Sequence, residues 1–363
     1  MRRRPLLKYS AWSLLGASTG LTAGSNWRLP AEHEPHACTW MSWLQDTRNY
    51  DSVTEANAAR AALGRLAAAI ARFEPVRMLA HPDEHAAARA ACGPQVELVP
   101  IASDDMWMRD SGPVFLRADD GRLAALDLNF NGWGERQRWR QQDEVVAGSL
   151  AAQLGLPHLR TPLTGEGGGL ESDGEGTLLL TESCWLHDNR NPGMDKSTMT
   201  AELKRAFGAE KVIWLPGVAN QDITDGHIDG ALRVVRPGVI MTSGYPDDDS
   251  DWGLALAASR AILARETDAR GRNFTLLDIP CATEPANEDR ELFTSYANFY
   301  LANGAVFTPR FGDARADALA QRLLGDLFPQ RRVVSLSVDP IYTAGGGLHC
   351  VTQQQPLGRL SGA

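Results

Sequence analysis

Apolar positions along this chain fall into short branched runs separated by longer amphipathic stretches. "QVELVPI" (95–101) and "LAALDLNF" (123–130) are rich in branched or alternating apolar residues, and "TLLLTE", "KVIWL", "GVIMTS" and "FTLLDI" repeat the pattern further on. Such runs predict strands. Between them the spacing predicts helices over 52–73, 142–154, 197–207, 253–266 and 314–327. Ser52 stands three residues before Glu55 in the order of a capping box, and Asp313 can cap the last helix. Gly155 can close the second helix in a left-handed conformation, and Pro329 follows the last one. Strands and helices alternate throughout, which predicts an α/β fold. From residue 150 onward the helices recur every ~55–60 residues, within the range of a repeated supersecondary unit. No Pro/Ser-rich linker or charge block divides residues 26–363, so they are read as one domain.

The beginning of the chain breaks the pattern. "MRRRPLLKYSAWSLLGASTGLTAGS" places Arg2, Arg3 and Arg4 before Leu6, Leu7 and Lys8, then a mildly apolar stretch with small residues near Ala23 and Gly24. That order resembles a secretory signal of the twin-arginine type over residues 1–25. It predicts export to the periplasm; without such a signal, the cytoplasm is expected. The apolar stretch is too short for a stable membrane span, and no later segment is long and apolar enough either.

Composition adds limits. Of 363 residues, 43% are hydrophobic and 22% charged, ordinary for a globular protein with a large core. The net charge of −9 argues against nucleic acid as a partner and favours cationic ligands. Its simplest effect is solubility. Cys38, Cys92, Cys184, Cys281 and Cys350 form no CxxC pair and no zinc-finger spacing. An odd number leaves at least one thiol free.

Five polar clusters could carry chemistry. "DDMWMRDSGP" (104–113) sets carboxylates beside Trp107, an arrangement suited to a planar cation, although a solvated acidic turn has the same composition. "NFNGWGE" (129–135) presents Trp133 between glycines, as a pocket wall or as packing. "GEGGGLESDGEGT" (165–177) has no lysine, and four acids that would repel phosphate. It suits a cation instead, with Glu166 most closely enclosed by glycine. In "DITDGHIDG" (222–230), His227 and Asp229 would face the same side of a strand. The pair suits acid–base work, and equally a zinc or iron site. "AGGGLHCVTQQQP" (344–356) carries Cys350, a nucleophile if a base lies near. On an extended strand the neighbouring His349 would point away from it. One thiol, one histidine, several carboxylates and tryptophans together suit nucleophilic attack on a planar cationic carbon, and a guanidinium fits.

These residues resemble one family in particular. "LPAEHEPHACTWMSW", "DDMWMRDSGPVF", "NFNGWG", "EGGG", "DGEGTLLLTESCW", "NRNPG", "DITDGHIDG", "SYANFYLANGAVFTPRFGD" and "GGGLHCVTQQQP" occur in the order of the agmatine deiminases, close to the bacterial-type peptidylarginine deiminases. The resemblance runs from about Leu29 to Pro356. It implies a pentein α/β-propeller, with five pseudo-symmetric ββαβ modules around a central active-site channel. It also implies hydrolysis of agmatine to N-carbamoylputrescine and ammonia without metal or cofactor. Carried over by position, Cys350 is the nucleophile and His227 the general acid/base. Asp110 and Asp229 bind the guanidinium, and Glu166 orients the histidine or the substrate. Trp107, Trp133 and Asn298 would contact the substrate. The implied partner is a small cationic guanidino compound, with a homodimer as a candidate assembly. The chain departs from the family at His33, Gly132, Gly230 and Gly347, where relatives often carry Trp, Ala, Asn and Asn. These positions bear on whether agmatine, a peptidyl-arginine or another guanidino compound is the substrate. Two rivals remain: a metallohydrolase using His227 and Asp229 with His187 and Asp188, and an exported binding protein for cationic solutes.

Overall fold

Branched apolar runs pair into sheets wherever their two faces can both be covered, and this chain repeats that solution. The computed structural model describes residues 26–244, 249–287 and 294–360. The arginine-led segment 1–25 lies outside the described residues. Among the described residues the strands form five sheets. The first joins Trp27–Arg28, Val114–Ala118, Leu123–Asp127 and His158–Arg160, and the second Leu170–Ser172, Thr177–Thr181 and Lys211–Leu215. The third joins Leu232–Arg236, Val239–Ser243 and Thr275–Ile279, and the fourth Tyr300–Ala302, Ala305–Pro309 and Arg332–Leu336. The fifth combines Gln353–Pro356 with His36–Ser42, Val76–Leu79 and Glu97–Val99, late chain with early chain. Each sheet contains an antiparallel pair followed by a parallel one. The parallel crossovers carry the helices Val53–Ile70, Val146–Leu154, Lys196–Phe207, Asp251–Leu263 and Ala314–Leu327, as parallel connections require. The mixed α/β expectation holds.

The period-2 alternation of a strand sends its side chains to two different clusters. Leu178 and Leu180 pack between the first and second sheets, whereas Leu179 packs between the second and third. Trp40 faces the first sheet, and Met41 faces the cluster shared with the third and fourth. Each such leucine, fully buried, contributes roughly 1.5–3 kcal/mol.

Local signals held where they were strongest. Ser52 accepts a hydrogen bond from Glu55 N–H, Asp313 accepts one from Ala316 N–H, and Gly155 closes its helix at φ 61°. Two expectations are corrected. The helix expected over 142–154 begins as a 3₁₀ turn at Asp143–Val145, and the α-helix proper starts at Val146. The buried Asp143 carboxylate is committed to Asp104 N, Asp105 N and Gln137 Nε2, which pins that turn to the 104–105 loop. The segment around His227 and Asp229 is not a strand. Asp222 accepts from Thr224 N and Gly226 N, Asp225 and Gly226 have φ of 61° and 82°, and Ile228–Gly230 is a 3₁₀ turn.

Candidate active site

Each sheet's leading strand is preceded by a short irregular segment, and the chemistry sits in those segments. Asp110 lies in the helical turn Met108–Ser111 ahead of Val114–Ala118. Glu166 precedes Leu170–Ser172, and His227 and Asp229 precede Leu232–Arg236. Asn298 precedes Tyr300–Ala302, and Cys350 precedes Gln353–Pro356. Five sheets therefore deliver their entry loops to one place. A cavity of about 840 Å³ opens there, and its wall includes Trp107, Asp110, Trp133, His227, Asp229 and Cys350.

His227 stands between two carboxylates. Its Nδ1 is 3.8 Å from Asp110 Oδ2 and its Nε2 is 3.4 Å from Glu166 Oε2. Burial alone would lower its pKa, but Asp110, then Cys184 and Glu166, outweigh burial and raise it well above the usual range. Asp110 is held by two donors, Trp133 Nε1 at 3.0 Å and Gly168 N at 2.9 Å. Burial, with Asp229 and Glu166 nearby, still pushes its carboxyl upward. Asp229 moves the other way. The bond and charge of His349 overcome burial and hold its pKa below the usual range.

Cys350 Sγ lies 3.6 Å from Asp229 Oδ2 and 3.3 Å from Asn298 Nδ2. Burial first, then the anions Asp229 and Asp110, push the thiol well above its ordinary value. A cation entering between the two aspartates would reverse the electrostatic part of that shift. Trp107 and Trp133 meet edge to face at 6.5 Å and line the same cavity.

The expected residues converge, with differences in detail. Glu166 is fully buried and is not on the cavity wall; it reaches the site through His227. The cation it was expected to take is the chain's own Arg190, whose Nε donates to both oxygens at 2.8 and 2.9 Å. Glu171 and Glu175 are likewise taken by Arg233 and Arg272. Asn298 is also absent from the cavity wall. It is buried behind the thiol, with its Oδ1 accepting from His349 N at 2.9 Å. A Cβ at Gly347 would come within 2.3 Å of that oxygen, so the glycine makes room for Asn298.

Residues 348–351 form a turn instead of the extended strand expected there. The turn swings His349 back to Asp229 at 2.7 Å. Arg109 fastens this turn: its N–H donates to Cys350 O and its guanidinium to His349 O, Gln353 and Gln354. Arg109, Glu32 and Arg190 were not singled out from the sequence, and His349 was considered there only as a neighbour pointing away from Cys350. Each lies inside a quoted motif, and that was the available signal.

The metal set His227, Asp229, His187 and Asp188 does not assemble. His187 approaches Asp225 instead, and Asp188 accepts from Gly193 N. Glu166, Cys184 and His227 do offer ligand atoms within 4.8 Å of one another. Arg190 already neutralises that glutamate from a buried position, so a divalent ion would face a fixed guanidinium. This donor set does not fit a metal.

Similarity to known proteins extends over most of the chain. The profile of the Porphyromonas-type peptidyl-arginine deiminases matches residues 28–356. An agmatine deiminase of Stutzerimonas stutzeri is 38% identical over 90% of this chain and 95% of its own. One from Pseudomonas aeruginosa is 34% identical over 94% and 98%. The solved structure of the Enterococcus faecalis agmatine deiminase superposes with a TM-score of 0.86 at 28% identity, covering 93% of this chain and 99% of that one.

Proposed function

This chain belongs to the Porphyromonas-type peptidyl-arginine deiminase family, and we propose that it hydrolyses agmatine to N-carbamoylputrescine and ammonia. The observation that carries the reading is the meeting of Cys350, His227 and the two aspartates Asp110 and Asp229 on one cavity wall. The similarity to agmatine deiminases over nine-tenths of the chain supports agmatine as the substrate.

The guanidinium enters between Trp107 and Trp133 and is gripped by Asp110 and Asp229 through paired charge-assisted hydrogen bonds. Its charge offsets the two anions that had held Cys350 as a thiol. The thiol proton leaves with displaced water, and the thiolate attacks the guanidinium carbon. His227, an imidazolium because its pKa is raised, gives its proton to the departing nitrogen. Ammonia leaves, and an S-alkylthiouronium remains on Cys350. Neutral His227 then takes a proton from water, the water oxygen bonds to the same carbon, and the C–S bond breaks. The ureido product departs and the thiolate is restored.

The five sheets fit a five-module ββαβ propeller. Apolar clusters link the fifth sheet to the first, the first to the second, the second to the third, and the third and fourth back to the fifth. Entry loops would then line the axis, where the cavity lies.

The test measures ureido product and ammonia from agmatine, free arginine and an arginine peptide, with wild-type protein and Cys350→Ala. Turnover of agmatine by the wild type and none by the variant is expected. Equal product from both would overturn the mechanism, and no product from any substrate would overturn the deiminase reading. Preference for the peptide would move the substrate to peptidyl-arginine.

A further inference from the structure

A layer of buried charge behind Cys350 has no part in the steps above. His349 is 2% exposed and lies between two carboxylates, with Nδ1 2.7 Å from Asp229 Oδ2 and Nε2 2.7 Å from Glu32 Oε2. A neutral imidazole carries one N–H, so both contacts are hydrogen bonds only when both ring nitrogens bear protons. Glu32 is itself fixed. Arg233 Nη2 reaches it at 2.7 Å, Leu301 N at 2.9 Å, and Arg109 Nη2 at 3.6 Å. Arg233 is anchored in turn on Glu171 at 2.6 Å.

The two guanidinium-facing acids are therefore held differently. Asp110 has two nitrogen donors, from Trp133 and Gly168. Among the described residues, the nitrogen donor recorded on the Asp229 carboxylate is His349 alone. Asn298 secures the Asp229 carbonyl, which leaves the side-chain torsion to the imidazole. The same imidazole follows in the chain one residue before Cys350, so a positive group stands behind both the thiol and its nearest anion.

We propose that His349 is a positioning residue: bridging Asp229 to Glu32, it keeps the Asp229 carboxylate aimed into the cavity beside Cys350. This rests on the reading that Asp229 grips the guanidinium. Losing a charge-assisted bond of this kind weakens substrate capture on the order of 10–100-fold. The cation's absence also leaves Cys350 facing its anions with less compensation.

Two variants separate aim from bulk. In His349→Asn the amide can reach where Nδ1 lies, whereas in His349→Gln it reaches toward Nε2. The KM for agmatine is expected to rise in both, more in the glutamine variant, with a smaller change in kcat. Inactivation of the resting enzyme by iodoacetamide, followed against pH, is expected to move to higher pH in both. That curve needs no turnover, so it tests the relay even if agmatine is not the substrate. Wild type without turnover would overturn the proposed function alone. Folded variants with wild-type KM and an unmoved alkylation curve would overturn the relay alone. If neither variant folds, Glu32→Gln is read by the same two measurements, and wild-type values there overturn it.

Discussion

Arg190 donates its Nε to both oxygens of Glu166, at 2.8 and 2.9 Å, and neither side chain is exposed. Its Nη1 reaches Asp225 at 2.8 Å, so one guanidinium bridges two buried carboxylates. Glu166 in turn faces His227 at 3.4 Å. Arg190→Met leaves Glu166 without its guanidinium, while Asp225 keeps Arg136 at 2.7 Å. Removing one partner of a buried pair costs about 3–5 kcal/mol. Urea denaturation should show a loss of this order, and an unchanged midpoint would refute the assignment.

His227 has two carboxylates for neighbours and serves as the proposed proton carrier. His227→Ala should lower kcat by roughly 10²–10⁴-fold, since water can replace part of the proton transfer. Steady-state kinetics on the folded variant decides. A loss seen only in KM would assign His227 to binding instead.

Gly168 sits where three site groups meet. A Cβ there would lie 2.7 Å from His227 Nδ1, 2.9 Å from Asp110 Oδ1 and 3.2 Å from Asp229 Oδ2. Gly168→Ala must displace at least one of them by several tenths of an ångström. Activity should fall at least tenfold, on the order expected for misplaced catalytic groups, while circular dichroism stays native. Wild-type kcat/KM would show that the three groups tolerate the shift.

The thiol's raised pKa gives a signed pH dependence. Only the thiolate is alkylated, so inactivation of Cys350 should rise with pH through a range above that of a free cysteine, about 8.5. Asp110 is one of the anions that raise it. Asp110→Asn removes a negative charge and should move the curve to lower pH. A shift to higher pH would mean that hydrogen bonding outweighs charge at this position.

The strands and the last helix were legible because their information is local: branched runs, a capping aspartate, a stopping proline. The residues Cys350, His227, Asp110, Asp229 and Glu166 were legible through their motifs and the family resemblance. What pairs with them was not. Arg190 was hidden because an ion pair leaves no periodic trace, and its partner Glu166 looked like a free ligand for a cation. Glu32 and His349 meet across most of the chain, and no spacing rule connects them. His349 was considered as part of an extended strand; the turn it occupies instead depends on Arg109, far away in sequence.

The pairing of Gln353–Pro356 with His36–Ser42 places the chain's early and late segments edge to edge. During synthesis the early strand, with Trp40 and Met41, emerges long before its antiparallel neighbour exists. Its edge must wait unpaired, a template for wrong partners, and closing so long a loop is slow. Cys350, the proposed nucleophile, lies three residues before that closing strand. A nascent chain with its first four sheets complete would still lack turnover, and the onset of turnover would report that this last strand has paired with the early one.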